Sequence, residues 1–502
     1  MKIPVLKFLV AAFLFLSAVA VTSVEAQFPT TALFTVDHTG DSHDANVGDN
    51  ICADADGKCT LRAAIEEANF NPFQDGINFA LPTFSTINLT LGELPITSNV
   101  YIAGPGARKL IVQRSTAQGT PDFRIFSINF TDGFVIPVTI RGLSIKNGRT
   151  GTDGGGIYIN YSTTVHLIDV AVIGNTSAGS GAGIFNAGTI NIKRSLIASN
   201  NANGLFSGGL LNITQNTNSV ISDSTLTNNS GNQGGAINNS GNLLLVNNTI
   251  SHNTATGGGS SILNNSTGNV SVLNTIIGMD VSSPTSSLSG TFISLGNNLV
   301  TDARNSTGFT NGANGDQVSD NNAINPLLGA LADNGGQTDT RALLEGSPAI
   351  NKGNSCVYYR NCPQPVPQGF SLVTDQRLVF LRLGGSSVDV GAFENEPFSF
   401  SAYYALGGFS LNNRSGGSLI TLIEAGTNQR QSRVTNTFGG FLFNDLNYWE
   451  VYFLERKPKR AGQRRGVTVH SLDSLPVLVP LPVVPNGEEV KMDFTLRDKV
   501  DK

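Results

Sequence analysis

Charge is scarce in this chain. Lys, Arg, Asp and Glu make up 14% of its 502 residues, against about 25% in average usage. Its surface is therefore expected to be built from Asn, Ser, Thr and Gly. Trp occurs once, Met three times and Cys four times. A formal net charge of −5 lacks the basic balance of a nucleic-acid binder and argues against that class. Apolar runs of membrane length are also missing beyond the N-terminus. What is present is 56 Gly and a hydrophobic content of 39%, enough to fold. The length exceeds what one compact core usually serves, so several units or an elongated repeat are expected.

Residues 1–26 read as a secretory signal. Lys2 and Lys7 precede an apolar run from Phe8 to Val21 interrupted only by Ser17. Val24-Glu25-Ala26 predicts cleavage before Gln27. The run is shorter than the roughly 20 residues of a spanning helix, so the mature chain is expected to have no transmembrane span. The cysteines form two close pairs, Cys52/Cys59 and Cys356/Cys362, which in an exported protein are most simply disulfides.

Leu33-Phe34-Thr35-Val36 reads as a strand, followed by an Asp- and Gly-rich loop from Asp37 to Lys58. A helix is predicted from Leu61 to Asn69. Thr60 caps it, Leu61, Ala64, Ile65 and Ala68 form one apolar stripe, and Asn71-Pro72 ends it. From about Tyr101 to Leu299 the chain repeats with a period of roughly 26 residues. Gly-rich starts align before Ile157, Ile184, Leu210, Ile237 and Ile262. A second row aligns Val172-x-x-Asn175, Ile197-x-x-Asn200, Leu226-x-x-Asn229 and Ile250-x-x-Asn253, with Ile145 upstream and Ile277 downstream.

Such a pattern predicts stacked coils. A leucine-rich repeat has a similar period but wants a dense Leu ladder. The β-branched rows with Gly and Asn corners fit a right-handed parallel β-helix better. With coils about 4.8 Å apart, seven to nine of them make a rod roughly 35–45 Å long.

Between Gly155 and Ile277 the only charged residues are Asp169, Lys193, Arg194 and Asp223. Asp169, Arg194 and Asp223 each precede their row residue by three, with Asn247 and Asn274 next in line. They are expected to stack as one exposed ladder. Two coil steps would separate the carboxylates by about 10 Å, near the upper end of an inverting glycosidase pair. Arg194 between them should keep both ionised and deny the pair its protonated acid. The ladder therefore reads as a register device, with no catalytic residue assigned.

Asp54-Ala55-Asp56-Gly57 offers alternating oxygen ligands, making Asp54 and Asp56 weak calcium candidates. Ala63 stands where an EF-hand needs Glu, and no other cofactor is expected. The five His residues form no metal spacing, and no G-x-S-x-G elbow occurs. The one basic patch is Arg456, Lys457, Lys459, Arg460, Arg464 and Arg465. It is either a solvated loop between strands or a site for anionic glycan or lipopolysaccharide.

Three stretches resemble known families. Phe34-Thr35-Val36-Asp37 through Cys59-Thr60-Leu61-Arg62-Ala63-Ala64-Ile65-Glu66-Glu67-Ala68-Asn69 resembles the bacterial CSLREA domain, with Thr60 and Ala63 departing from its consensus. The resemblance implies a secreted β-helix, with the helix covering the open edge of its first coil. Asn325-Pro326-Leu327-Leu328-Gly329, Asp333 to Thr338, Gly346 to Asn351, Thr374-Asp375-Gln376-Arg377 and Asp389 to Glu394 resemble, in order, the choice-of-anchor Q domain. That family's name implies that a sorting device often follows. The chain shows no sortase motif, terminal apolar helix with a basic stop, or terminal outer-membrane barrel. From Pro397, Gly407-Gly408-Phe409-Ser410, Ile420 to Ile423, Val434 to Phe443 and Met492 to Thr495 resemble a carboxypeptidase-regulatory-like β-sandwich, a non-catalytic module.

The expected organisation is all-β: a signal peptide (1–26), a helix-containing N-terminal cap (27–92), parallel β-helix repeats (93–325), a choice-of-anchor Q-like region closing the helix (326–396), and a C-terminal β-sandwich (397–502). The expected function is that of an exported, non-enzymatic bacterial cell-surface or secreted protein. It would adhere to, or interact with, glycans or other surface molecules. The alternative is a polysaccharide lyase or glycoside hydrolase on a β-helix.

Overall fold

Short strands rich in Ile, Val and Leu, broken by Gly and Asn, cannot bury an apolar face alone; stacking them coil on coil does. The computed structural model describes residues 32–395, apart from 72–73, 130–136, 204–205, 214–217, 281–282, 369, 379–381 and 383–385. Beyond these it describes the backbone of strands within 404–496. The expected signal segment lies outside the described residues.

The chain winds into a parallel β-solenoid with three sheets of ten, ten and nine strands, each in sequence order. Sheet A includes Thr164–Ile168, Thr189–Lys193, Asn218–Ser222, Asn242–Val246 and Asn269–Leu273. Sheet B includes Ala171–Ile173, Leu196–Ala198, Thr225–Thr227, Thr249–Ser251 and Ile276–Gly278. Sheet C includes Ile157–Ile159, Ile184–Asn186, Leu210–Asn212, Ile237–Asn239 and Ile262–Asn264. Nine stacked strands leave eight gaps, about 38 Å at 4.8 Å each.

Both expected rows hold. Ile157, Ile184, Leu210, Ile237 and Ile262 are register partners in sheet C. In sheet B the row runs Ile145, Val172, Ile197, Leu226, Ile250 and Ile277. These side chains form one continuous buried core. The Gly starts are steric: a Cβ on Gly156 or Gly183 would lie 2.5 or 2.7 Å from a carbonyl oxygen of the next coil.

Asparagine fills the turns. Asn175, Asn200, Asn229 and Asn253 stack inside, each of the first three donating its amide to the next one's Oδ1 at 3.0–3.1 Å. Their amides also reach backbone carbonyls, such as Ile145 and Val172. Asp280 ends the ladder, accepting from the Asn253 N–H and the Ser260 and Ser261 hydroxyls. A parallel ladder joins Asn186, Asn212, Asn239 and Asn264.

Helix α1 (Leu61–Phe70) packs against the strands Leu33–Val36, Asp75–Phe79 and Leu94–Ile96. The Thr60 hydroxyl caps it by accepting from Ala63 N–H at 3.1 Å. Arg62 is buried and donates to Asp41 at 2.8 Å and to the carbonyls of Gly92 and Glu93.

The sequence suggests that residues 326–396 close the helix; their described part runs along the side of the solenoid as a strap. A hairpin of Leu328–Ala332 and Thr340–Leu343 opens the strap, and a short helix α2 (Cys356–Tyr359) follows. Both cysteine pairs are at disulfide distance, with Cα–Cα separations of 5.0 Å for Cys52–Cys59 and 4.8 Å for Cys356–Cys362. Past residue 396, described strands pair into one three-stranded and one four-stranded sheet. Among the described residues, no helix is long and apolar enough to cross a membrane.

Candidate functional site

The expected ladder Asp169, Arg194, Asp223, Asn247 and Asn274 exists and is longer, continuing to Asn297. All six are left-handed, with φ between 48° and 57°, because each turns the chain from sheet A into sheet B. The tight corner favours Asn and Gly; Asp and Arg occupy it only where partners hold them. The expected exposure is wrong. Asp169 is 1% exposed, and Arg194 and Asp223 are 0%; the strap reaches Arg194 through Thr338 and Asp223 through Arg382.

The strap closes on this corner with polar and apolar contacts. Toward the start of the solenoid, Arg108 donates to Asp339 at 2.8 Å and pairs with Asp333 at 2.9 Å. Thr338 donates to the Arg194 carbonyl. The buried amide of Gln376 donates to the Ser195 carbonyl and Thr338 Oγ1, and its oxygen accepts from Thr225 Oγ1 at 2.6 Å. Asn247 donates to the carbonyls of Asp389 and Gly391. Asn274 exchanges two hydrogen bonds with the Asn354 backbone, and Asn297 donates to the Lys352 carbonyl. Cys356, Val357, Val366, Leu372 and Val388 pack on Leu244, Val246 and Leu273, which face outward from sheet A. Leu343, Ala349, Val390 and Phe393 cover Ile276 and Leu299 of sheet B.

The charges meet beneath the strap. Asp169 takes both Nε and Nη2 of Arg194, at 2.8 and 3.0 Å, and Nε of Arg141 at 3.2 Å. Burial alone would raise the Asp169 carboxyl, but the two guanidiniums overcome this and hold it below its usual range. Asp223 behaves differently. Its hydrogen-bonded guanidinium is Arg382 of the strap, whose Nε donates at 2.9 Å and whose Nη2 also donates. Burial pushes the Asp223 carboxyl up against the opposing pull of Arg382 and Lys193. Arg194 pulls both carboxyls down, as expected from its place between them, but at Asp223 burial outweighs that pull.

Behind Arg382 sits a second knot. Glu394 is 0% exposed, and both its oxygens accept from the Asp389 N–H at 3.2 and 3.1 Å. Asp389 accepts from the N–H groups of Asn351 and Asn395. Asp375 accepts from Glu394 N–H and from Arg377, whose guanidinium also lies 3.7 Å from the Phe393 ring centroid. Asp375 and Arg377 belong to the motif Thr374 to Arg377, and Asp389, Phe393 and Glu394 to the motif Asp389 to Glu394. In this structure, the motif residues fasten the strap.

Of the two calcium candidates, Asp54 is engaged otherwise. Asp54 accepts from the Ser42 hydroxyl at 2.5 Å and from the N–H groups of Asp56 and Lys58. The Ser42 bond is the largest influence lowering its carboxyl. These donors occupy the oxygens a cation would need. No cluster of three metal-ligating side chains occurs among the described residues. In the basic cluster, Arg456 and Lys457 end the strand Tyr452–Lys457, and Arg465 begins Arg465–Gly466 opposite Arg456. Lys459, Arg460 and Arg464 lie outside the described residues.

On sheet C, the outward row carries Tyr158 and Phe185, stacked 5.0 Å apart with planes 2° from parallel. Arg124 covers the Tyr158 ring at 4.7 Å. The two rings spend their facing sides on each other and Arg124 takes one more, so the stack is a coil-to-coil ladder rather than an open aromatic platform. Sequence reasoning missed the strap's docking. A signal was available: Leu243-Leu244-Leu245-Val246 is apolar without alternation, the mark of a strand covered on both faces.

No protein-family model, curated protein or solved structure matches the chain.

Proposed function

We propose that this chain is an exported, non-enzymatic cell-surface or secreted protein that uses its solenoid as a rigid support for adhesion or interaction with glycans or other surface molecules. One observation carries the reading. The carboxylates between Gly155 and Ile277 are buried in ion pairs, Asp169 with Arg141 and Arg194, and Asp223 with Arg382. A general acid or base must reach the proton it transfers, and both side chains are buried and held by guanidiniums.

Within this reading, residues 1–26 direct export and the solenoid is right-handed. The CSLREA-like helix caps its first coil, and residues 326–396 are a choice-of-anchor Q-like region. The C-terminal strands form a carboxypeptidase-regulatory-like β-sandwich. The two disulfides agree with an oxidising compartment.

The test is to screen the purified mature protein against anionic and neutral polysaccharides, scoring binding and bond cleavage separately. Binding without cleavage is the expected result; turnover of any glycan would establish the enzyme alternative. If the basic cluster is the binding site, retention on anionic glycan falls with salt and on replacing Arg456, Lys457, Lys459, Arg460, Arg464 and Arg465 by Gln. Indifference to both would remove the cluster from the account.

A further inference from the structure

One loop of the strap is fastened at its base and carries recognition chemistry on its outside. Asn354 exchanges two hydrogen bonds with Asn274, and its side chain accepts from the Cys356 N–H at 2.9 Å. Cys356 and Val357 on one side of the loop, and Val366 on the other, are buried in the apolar cluster with Leu244 and Leu273. The Cys356–Cys362 pair closes the loop with a Cα–Cα separation of 4.8 Å. Pro363, Pro365 and Pro367 follow and restrict the backbone further.

The outer part is polar and aromatic. Tyr359 is 58% exposed, and Arg360 and Asn361 are exposed beside it. The half-buried Tyr358 ring meets Tyr359 edge to face, with centroids 5.3 Å apart and planes at 90°, which fixes the Tyr359 ring. Arg360 ends α2 in the left-handed region, φ 62°, its N–H donating to the Cys356 carbonyl. Among the described residues, the Tyr359 hydroxyl, the Arg360 guanidinium and the Asn361 amide have no hydrogen-bonding or ionic partner. The fold therefore holds three recognition side chains in place without using their polar groups. Groups ordered in advance lose less entropy on binding.

We propose that the loop Cys356–Cys362 is a contact site for an anionic glycan. The Tyr359 ring stacks on the apolar face of a sugar, the Arg360 guanidinium takes a uronic-acid carboxylate in a two-pronged contact, and the Asn361 amide bonds a hydroxyl. A glycan fits better than a protein, because a stable protein interface engages about 20–30 residues a side and this loop offers three. The proposal rests on the glycan-interaction reading above and gives it a place apart from the Arg456 to Arg465 cluster.

The test is titration of the full mature chain at low salt with polygalacturonate and with its methyl-esterified form, in which the carboxylates are neutralised. Wild type should bind polygalacturonate, and the ester more weakly. Tyr359→Ala and Arg360→Gln, both at exposed sites, should each lower the affinity by about tenfold or more at an unchanged unfolding midpoint. Arg360→Gln should also erase the preference over the ester. Tyr359→Phe, which keeps the ring, should bind within about threefold of wild type. Tyr161→Ala, at another exposed tyrosine, should bind as wild type. Undiminished binding by both Tyr359→Ala and Arg360→Gln would overturn the loop's role and leave the glycan reading standing. Wild type that binds neutral glycans but not polygalacturonate would do the same. Wild type that binds no polysaccharide would remove the loop's role and that reading together.

Discussion

At the scale of single residues, the chain replaces ions with amides. Asn229 is 0% exposed; its side chain donates to Asn253 Oδ1 and the Ile197 carbonyl, and accepts from Asn200. An amide that bridges three coils leaves several buried groups unsatisfied when removed. Asn229→Ala should destabilise by about 1–3 kcal/mol, while Asn218→Ala, at an exposed strand start, should stay within about 0.5 kcal/mol. Denaturant midpoints compare the two, and equal effects would mean the ladder contributes little. This layer was largely legible in the sequence. The Asn and Gly rows recur at fixed spacing because each coil must turn at the same place, and the corner conformation selects the residues that tolerate it. What the sequence concealed was the burial of Asp169, Arg194 and Asp223, since charged side chains are ordinarily exposed.

At the scale of elements, the strap accounts for the burial of Asp223, which pairs with Arg382, and reaches Arg194 through Thr338. Arg382 and Asp223 are separated by 159 residues, so no local pattern announces their pairing. The motifs Thr374 to Arg377 and Asp389 to Glu394 were visible as motifs, but their contacts needed the folded chain. Removing one side of the pair, in Asp223→Leu or Arg382→Met, strands a buried partner and should cost about 3–5 kcal/mol. Making both changes together should recover much of that loss, because the site then packs as an apolar contact. A double-mutant cycle in denaturant measures this coupling; additive losses would show that the two residues do not act as a pair. The disulfide Cys356–Cys362 pins the loop that covers Leu244 and Leu273. Replacing both cysteines by Ser should therefore increase proteolysis within residues 355–372 before the solenoid core is cut.

Among the described residues, burial raises more carboxyl groups than ion pairs and hydrogen bonds depress. Asp280 is pushed up to about 6 and Glu394 to about 9, and Glu67, Asp75, Asp223 and Asp316 are also raised, burial being the largest cause in each. Each contributes stability that is present below its ordinary value and lost as pH rises through its folded one. Asp169, Asp54 and Asp302 are lowered, so their contribution is lost as pH falls below the usual carboxylate range. Thermal unfolding should therefore show greatest stability in mildly acidic solution, near pH 5, and a lower midpoint at pH 8. Asp280→Asn should remove part of the decline between pH 5 and 6. A maximum at pH 8 would contradict these assignments. The scarcity of charge thus has a structural consequence: Asp169 and Arg194 pair with each other inside the solenoid and Asp223 holds the strap through Arg382, which agrees with the proposed role of the solenoid as a support. The most direct test of that claim is the chain carrying Asp169→Asn and Asp223→Asn, assayed beside wild type for polysaccharide cleavage and for its unfolding midpoint. The account predicts no cleavage by either protein and a lower midpoint for the variant. Cleavage by wild type that disappears in a variant of unchanged stability would contradict it.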